Sequence, residues 1–345
     1  MKQGADYIEC DVQVTKDLHL FCNHSPWLSK ITEDLCSNTK FSKRKRKETV
    51  LYEDPYHDGK YAEWNVTDWF MYDFTADELH SLKRIQPVKH RDQNYNFKEY
   101  FCSFQEYIDL AKELNVGIYP EIKYPYFINS ILNSRGQNIT VEELMVNVLN
   151  ENGFNDSKSH CFIQSFEKKS LKNVKAITNL KRIYLLWEDE QHLRDLDSGG
   201  RLLKNQEMWR VALDWGINEN IDGFGLDKNF ILSTNESNYI SNSYSYMVDD
   251  AKEHGMLVHV YTFAHDKEDS LPWNFGKDPY LEYTYYLKVG IDGFFTDFPA
   301  IANRFLGEND VCDLNIGKRL CRSEPLLIVL LVLVALIYVE HTYQY

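Results

Sequence analysis

"GADYIECDVQVTKD", Gly4–Asp17, stands almost at the first residue of the chain, and its reading decides the fold. Within Tyr7–Val14, the apolar Tyr7, Ile8, Cys10, Val12 and Val14 interleave with Glu9, Asp11 and Gln13, the period of a β-strand. Side chains two apart on a strand share a face. Glu9 and Asp11 therefore project together from a segment that ought to be buried, and that placement needs an explanation.

Working outward, a short strand at Leu18–Asn23 follows the Lys16–Asp17 turn. From Ser25 to about Thr75 the sequence is irregular and polar, rich in Lys, Asp, Tyr and Trp, and reads as a long excursion. Loops of that length inside a domain are functional or disordered. Regular signals then resume. Thr75–Glu78, Ser103–Glu106 and Thr140–Glu143 have the S/T-x-x-E form of capping boxes, each opening a helix. After the second, Phe104, Tyr107, Ile108, Ala111 and Leu114 make one apolar stripe at helical spacing.

Further strands are expected at Val116–Lys123, His160–Ser165, Arg182–Leu186, Asp222–Leu226, Leu257–Thr262 and Gly293–Thr296. Helices are expected from Glu167, over about Asn238–His254 and across Tyr280–Val289. Strand–helix–strand repetition without hairpin turns calls for parallel strands with helical crossovers. The fold class is α/β, and the expectation is a TIM (β/α)8 barrel one strand short at its front. Residues 1–306 form that domain, with an insertion over about 25–100, a linker at 307–324 and a hydrophobic tail at 325–345.

In a parallel barrel the groups at the C-terminal strand ends line the active site. Glu9 and Asp11 share one face, and so do Glu121 and Lys123 of the "PEIK" strand. Three carboxylates converging there repel one another unless a cation sits between them. A hard, oxygen-seeking ion, Mg²⁺ or Ca²⁺, is the natural occupant, and these carboxylates do not choose between the two. Solvated strand-end acids are the plainer alternative. His24, just after the second strand and near Lys123, is a candidate general acid or base.

"GADYIECDVQVTKD" followed by "FCNHS" resembles the signature of the glycerophosphodiester phosphodiesterase family. "YPEIK" (Tyr119–Lys123), "IQSFE" (Ile163–Glu167), "HVYTF" (His259–Phe263) and "DGFFTDFP" (Asp292–Pro299) continue the resemblance in the family's order, as far as about Ala300. The excursion resembles the larger, bacterial-type members with an insertion. The resemblance implies metal-dependent hydrolysis of a glycerophosphodiester to glycerol 3-phosphate and an alcohol. It implies metal ligation by Glu9, Asp11 and Glu121, a phosphate-side role for Lys123, and protonation of the leaving alcohol by His24. Gln164 is read as a polar barrel-end residue near substrate, or as structural.

Two departures stand out. Ser25 replaces the family's Asp after the second histidine and creates the sequon Asn23–His24–Ser25. Family members also carry a first strand ending in His-Arg, where this sequence has only Met1–Lys2–Gln3. The expectation is an N-terminal truncation that took this segment and any signal peptide with it, leaving an impaired enzyme. The other readings are a non-catalytic relative that binds a phosphodiester or a protein partner, and a lipid-directed phosphodiesterase releasing a cyclic phosphate.

The formal charge of −14 speaks against a nucleic-acid partner. Lys43–Lys47, "KRKRK", breaks the acidic background as a solvated loop or as a processing or localisation signal. Sequons at Asn23, Asn65, Asn138, Asn155 and Asn235 favour an extracellular or lumenal location, a setting that permits disulfides. Cys10 and Cys22 are nonetheless read as buried small hydrophobes. Trp27, Trp64 and Trp69 either wall the pocket or cover the core. "PLLIVLLVLVALIYV", Pro325–Val339, spans ~22 Å as a helix, short of a ~30 Å hydrocarbon core. It is read as membrane attachment through a short anchor or a glycolipid signal, against a buried core helix.

Overall fold

The computed structural model describes residues 4–54, 60–187, 205–234, 237–266, 271–308 and 327–330. The chain divides into two compact units.

One unit holds Glu9–Glu53 and Gly59–Leu180. Strand β1, Tyr7–Val14, which enters this unit at Glu9, is buried at all eight positions, so Glu9, Asp11 and Gln13 are as enclosed as the apolar residues between them. Strand β2, Leu20–Cys22, returns antiparallel to β1 with Val12 opposite Cys22. Cys10 lies two residues from Val12 on the same face, and its Cα is 5.4 Å from that of Cys22. The two are joined in a disulfide. This corrects the expectation of two separate small hydrophobes, because antiparallel register brings diagonal neighbours together where sequence spacing does not.

The excursion is also more ordered than its composition suggests. Strands β3, Arg46–Glu53, and β4, Tyr61–Asp68, pair antiparallel over eight rungs, from Arg46↔Asp68 to Glu53↔Tyr61. Most of β4 alternates between exposed and half-buried positions, which explains its polar sequence. Beside the hairpin, Leu28, Leu35, Phe41, Trp69, Met71 and Phe74 pack with Phe21 into a buried cluster. Trp69 belongs to this core, and its indole N–H donates to the Phe41 carbonyl at 2.8 Å.

All three capping boxes are present, opening α1 (Ala76–His80), α2 (Phe104–Leu114) and α4 (Val141–Glu151). Strand β5, Gly117–Ile122, is followed by α3, Pro125–Ser134. That helix has Pro at its first position and no side-chain cap, so it carried no Ser/Thr signal in the sequence. Strand β6, Phe162–Ser165, runs parallel to β5 with Glu121 opposite Gln164, and α5, Lys168–Ile177, follows. The strand order is β6–β5–β1–β2.

The second unit begins at Lys181 and includes the chain up to Ile8. It comprises β7 (Lys181–Leu186), α6 (Asn205–Glu219), β8 (Gly223–Asp227), α7 (Lys228–Ile231), β9 (Leu232–Thr234) and β10 (Ile240–Ser243). Then come α8 (Tyr246–Glu253), β11 (Leu257–Phe263), α9 (Pro279–Val289), β12 (Gly293–Thr296), α10 (Pro299–Glu308) and β13 (Leu327–Leu330). Strands β7, β8, β11, β12 and β13 are parallel and adjacent in that order. The helix expected over Asn238–His254 is confined to α8, because β10 pairs with β9 and Ser241 Oγ donates to the Ser233 carbonyl. Ser and Asn side chains compete with helical backbone bonds in that stretch.

All seven expected parallel strands are thus present within a residue or two of their predicted bounds. β13 comes from the C-terminal apolar run and lies parallel to β12 and to the start of β1, with Tyr7 opposite Val329. Within the expected tail, the four described residues Leu327–Leu330 are strand. Among the described residues no helix is long and apolar enough to cross a membrane. The linker and the rest of the tail lie outside the described residues.

Candidate active site

Every candidate site residue falls in the unit built on β1, β5 and β6. Glu9, Asp11 and Glu121 are 3%, 8% and 5% exposed. Each offers a carboxylate oxygen, and the three oxygens lie within 4.8 Å of one another. Strand period explains the first two, and adjacency of β5 to β1 brings in the third.

Lys123 enters from just past the end of β5. Its Nζ is 3.5 Å from Asp11 Oδ1 and 3.1 Å from Glu121 Oε1. Its ammonium also stands 5.1 Å from the centre of the Phe166 ring. Burial alone would lower the lysine's pKa, but Glu121 and Asp11 outweigh it and hold the ammonium charged above its usual range. Burial pushes Asp11 up, yet Lys123 and His24 together hold it below the normal carboxylate value. Burial drives Glu121 well above that value, and the neighbouring Asp11 charge adds to the shift. Two close carboxylates that share one ammonium cannot both ionise at ordinary cost, and this pair splits accordingly.

Gln164 does not stand apart from the acids. Its Nε2 donates to Glu9 Oε1 at 3.2 Å, and the residue is 3% exposed. The hydrogen bond ties it to one of the three carboxylates, on the strand next to Glu121.

His24 is half-buried, with Nδ1 3.2 Å from Ser25 Oγ. Gln13, on the same face of β1 as the two acids, donates from Nε2 to the His24 carbonyl at 3.3 Å. The Asn23 N–H donates to the Asp11 carbonyl at 2.7 Å, which ties the His24 loop to the carboxylate strand. Asn23 is 2% exposed, accepts from the Arg84 guanidinium at 3.2 Å and donates to the Ser25 carbonyl. The enclosed, hydrogen-bonded side-chain amide leaves no room for a glycan in the folded protein. Arg84 itself is buried, lies over the Phe101 ring and is lowered to about 9 by burial.

Sequence reading missed Gln13 and Arg84. The first was findable from its spacing to Glu9 and Asp11; the second carried no signal. It also missed the ring cluster around Tyr124, which meets Trp27, Tyr52 and Trp64 at centroid distances of 5.6, 5.8 and 6.1 Å. Trp27 and Trp64 thus join a half-buried aromatic wall that begins at the residue after Lys123.

The donor set is chemically hard: three buried carboxylates, with no thiol or imidazole within the cluster. Such a site fits an oxygen-seeking divalent ion. With all three carboxylates ionised, three negative charges against one ammonium leave an excess of two, which a divalent cation neutralises.

The model of the glycerophosphoryl diester phosphodiesterase family matches residues 1–301. A glycerophosphodiester phosphodiesterase from Arabidopsis thaliana is 32% identical over 316 residues, covering 88% of this chain and 79% of that protein. Among solved structures, a candidate glycerophosphoryl diester phosphodiesterase from Silicibacter pomeroyi matches with a TM-score of 0.57 at 14% identity, over 88% of this chain and 84% of that one. An Oleispira antarctica phosphodiesterase in complex with the product sn-glycerol-3-phosphate matches with a TM-score of 0.53 at 16% identity, over 89% and 87%. These likenesses establish the α/β barrel fold.

Proposed function

Because this chain belongs to the glycerophosphoryl diester phosphodiesterase family, we propose that it hydrolyses glycerophosphodiesters to glycerol 3-phosphate and an alcohol, using one divalent cation. The observation that carries the reading is the convergence of Glu9, Asp11 and Glu121, buried and within 4.8 Å, with Lys123 beside them. Named relatives of the same activity, and a neighbour holding sn-glycerol-3-phosphate, support the substrate class.

In this reading Glu9, Asp11 and Glu121 hold the ion, which supplies positive charge to the phosphoryl oxygens when bound. Lys123 contributes a fixed ammonium to the same anionic group. It needs no reorganisation as charge develops, because its position is already set by two carboxylates. Gln164 keeps Glu9 oriented. His24, held through its carbonyl by Gln13 and through Asn23 by the Asp11 backbone, donates a proton to the departing alcohol oxygen. The Trp27–Tyr124–Trp64 wall screens the mouth from water on one side.

We further propose a secretory or lumenal location. Exposed sequons at Asn65, Asn138 and Asn155 support it, as does the Cys10–Cys22 disulfide.

The test is a release assay for glycerol 3-phosphate from glycerophosphocholine, with divalent ion and with chelator. Ion-dependent release is the expected result. Chelator-insensitive release removes the ion from the mechanism, and no release with retained phosphodiester binding gives a binding protein instead.

A further inference from the structure

The basic run Lys43–Lys47 has no part in the reaction above, yet it helps to build a cleft of about 600 Å³. Five cations line it, Lys16, Lys43, Arg44, Arg46 and Arg135, with Asp73 among them. On a chain of net charge −14 this concentration of positive charge is out of character.

The guanidinium groups are fixed rather than trailing in solvent. Arg44 donates to both oxygens of Glu78, at 2.6 and 2.8 Å, and to the Asp73 carbonyl at 2.9 Å. Arg46 Nη2 lies 3.2 Å from Asp73 Oδ2 and 2.8 Å from Glu48 Oε1. Arg135 donates to Asp73 Oδ1 at 2.5 Å and to the Tyr72 carbonyl. Rings support them from behind: Arg44 over Phe41 and Phe74, Arg46 and Arg135 over Tyr72. Three guanidinium groups thus gather around one aspartate.

The charges do not cancel. The three arginines touch three carboxylates, Asp73, Glu78 and Glu48, so the five lining cations leave a surplus of two. The surplus has an address, since the exposed Lys16 and Lys43 ammonium groups have no ion-pair partner among the described residues. A phosphomonoester carries about −1.5 to −2 at neutral pH. Immobilised guanidinium forks beside mobile ammonium groups are the side chains that recognise such a group.

We infer that this cleft binds a phosphomonoester, at a site separate from the carboxylates. Helix α3 sets the separation. Tyr124 caps its start beside Lys123, Arg135 caps its end in the cleft, and ten residues at ~1.5 Å each put ~15 Å between them. The phosphate group can be borne by a soluble metabolite or by an anionic lipid, since both present the same dianion.

The test compares the wild type, a Lys16→Glu/Lys43→Glu double variant and Lys123→Met, each checked for native circular dichroism. Titration calorimetry with glycerol 3-phosphate and with inorganic phosphate at low salt forms one arm. Co-sedimentation with phosphatidylcholine vesicles, with and without phosphatidic acid, forms the other. Expected is a binding event that weakens with added salt, falls by ~10-fold or more in the double variant, and persists in Lys123→Met. Appearance in the first arm assigns a soluble ligand, and in the second alone a lipid. Binding unchanged in the double variant, lost only in Lys123→Met, or absent from both arms overturns the inference.

Discussion

Gln164 Nε2 donates to Glu9 Oε1 at 3.2 Å, joining the strand that follows α4 to the strand at the front of the chain. Both residues are buried. The contact fixes one rotamer of a carboxylate that would otherwise swing under repulsion from Asp11 and Glu121. Gln164→Ala should therefore weaken divalent-ion binding by ~10–100-fold, the usual effect of losing a residue behind a ligand. Ion titration of the variant checks this. A changed KM with unchanged ion affinity would assign Gln164 to the substrate instead.

Lys123 is the only cation described within 4 Å of both Asp11 and Glu121. Lys123→Met leaves these buried carboxylates without compensation, and in chelator should cost about 3 kcal/mol of stability. Added Ca²⁺ or Mg²⁺ should restore most of the loss while activity remains low. Urea denaturation with and without the ion separates the two effects.

The Arg44–Glu78 pair clamps the excursion onto α1. Hydrogen bonds from Arg44 lower the Glu78 carboxyl to about 2, with burial opposing. A carboxyl whose folded pKa is lowered stabilises the fold above its unfolded value of 4.5, and that contribution disappears as pH falls through about 2. The Glu78 side chain is 14% exposed, so solvent screening trims the effect. Glu78→Gln should cost about 1–2 kcal/mol at pH 7. The difference from wild type should shrink steadily between pH 4.5 and pH 2. Denaturation curves across that range check the sign.

The Cys10–Cys22 disulfide closes a loop with a sequence separation of 12, for which chain entropy gives about 3 kcal/mol. Cys10 sits between Glu9 and Asp11 in β1, with its side chain on the opposite face. Reduction should accordingly lower stability and also loosen ion binding. Thermal melts and ion titrations in the presence of dithiothreitol read both.

Much of this was legible in advance. Buried parallel strands are short apolar runs, and all seven stood out. Three capping boxes marked helix starts because their hydrogen bonds are local. Glu9, Asp11 and Glu121 were visible because acids inside strand-like stretches violate the pattern around them. What was hidden depends on partners distant in sequence. The β3–β4 hairpin is polar on its outer face and reads as loop. The Cys10–Cys22 bond follows from register, and Gln164 meets Glu9 through strand order. The run Leu327–Leu330 is equally apolar as membrane segment or strand, and its pairing with β12 and β1 depends on residues distant in sequence.

The central claim is that Glu9, Asp11 and Glu121 hold one divalent ion. Calorimetric titration of the metal-free protein with Ca²⁺ and with Mg²⁺ tests it most directly. The account predicts one ion per chain in the wild type, and its loss in both Asp11→Asn and Glu121→Gln variants that still fold. Equal ion binding in wild type and variants, or none in a wild type that releases glycerol 3-phosphate in chelator, would contradict it.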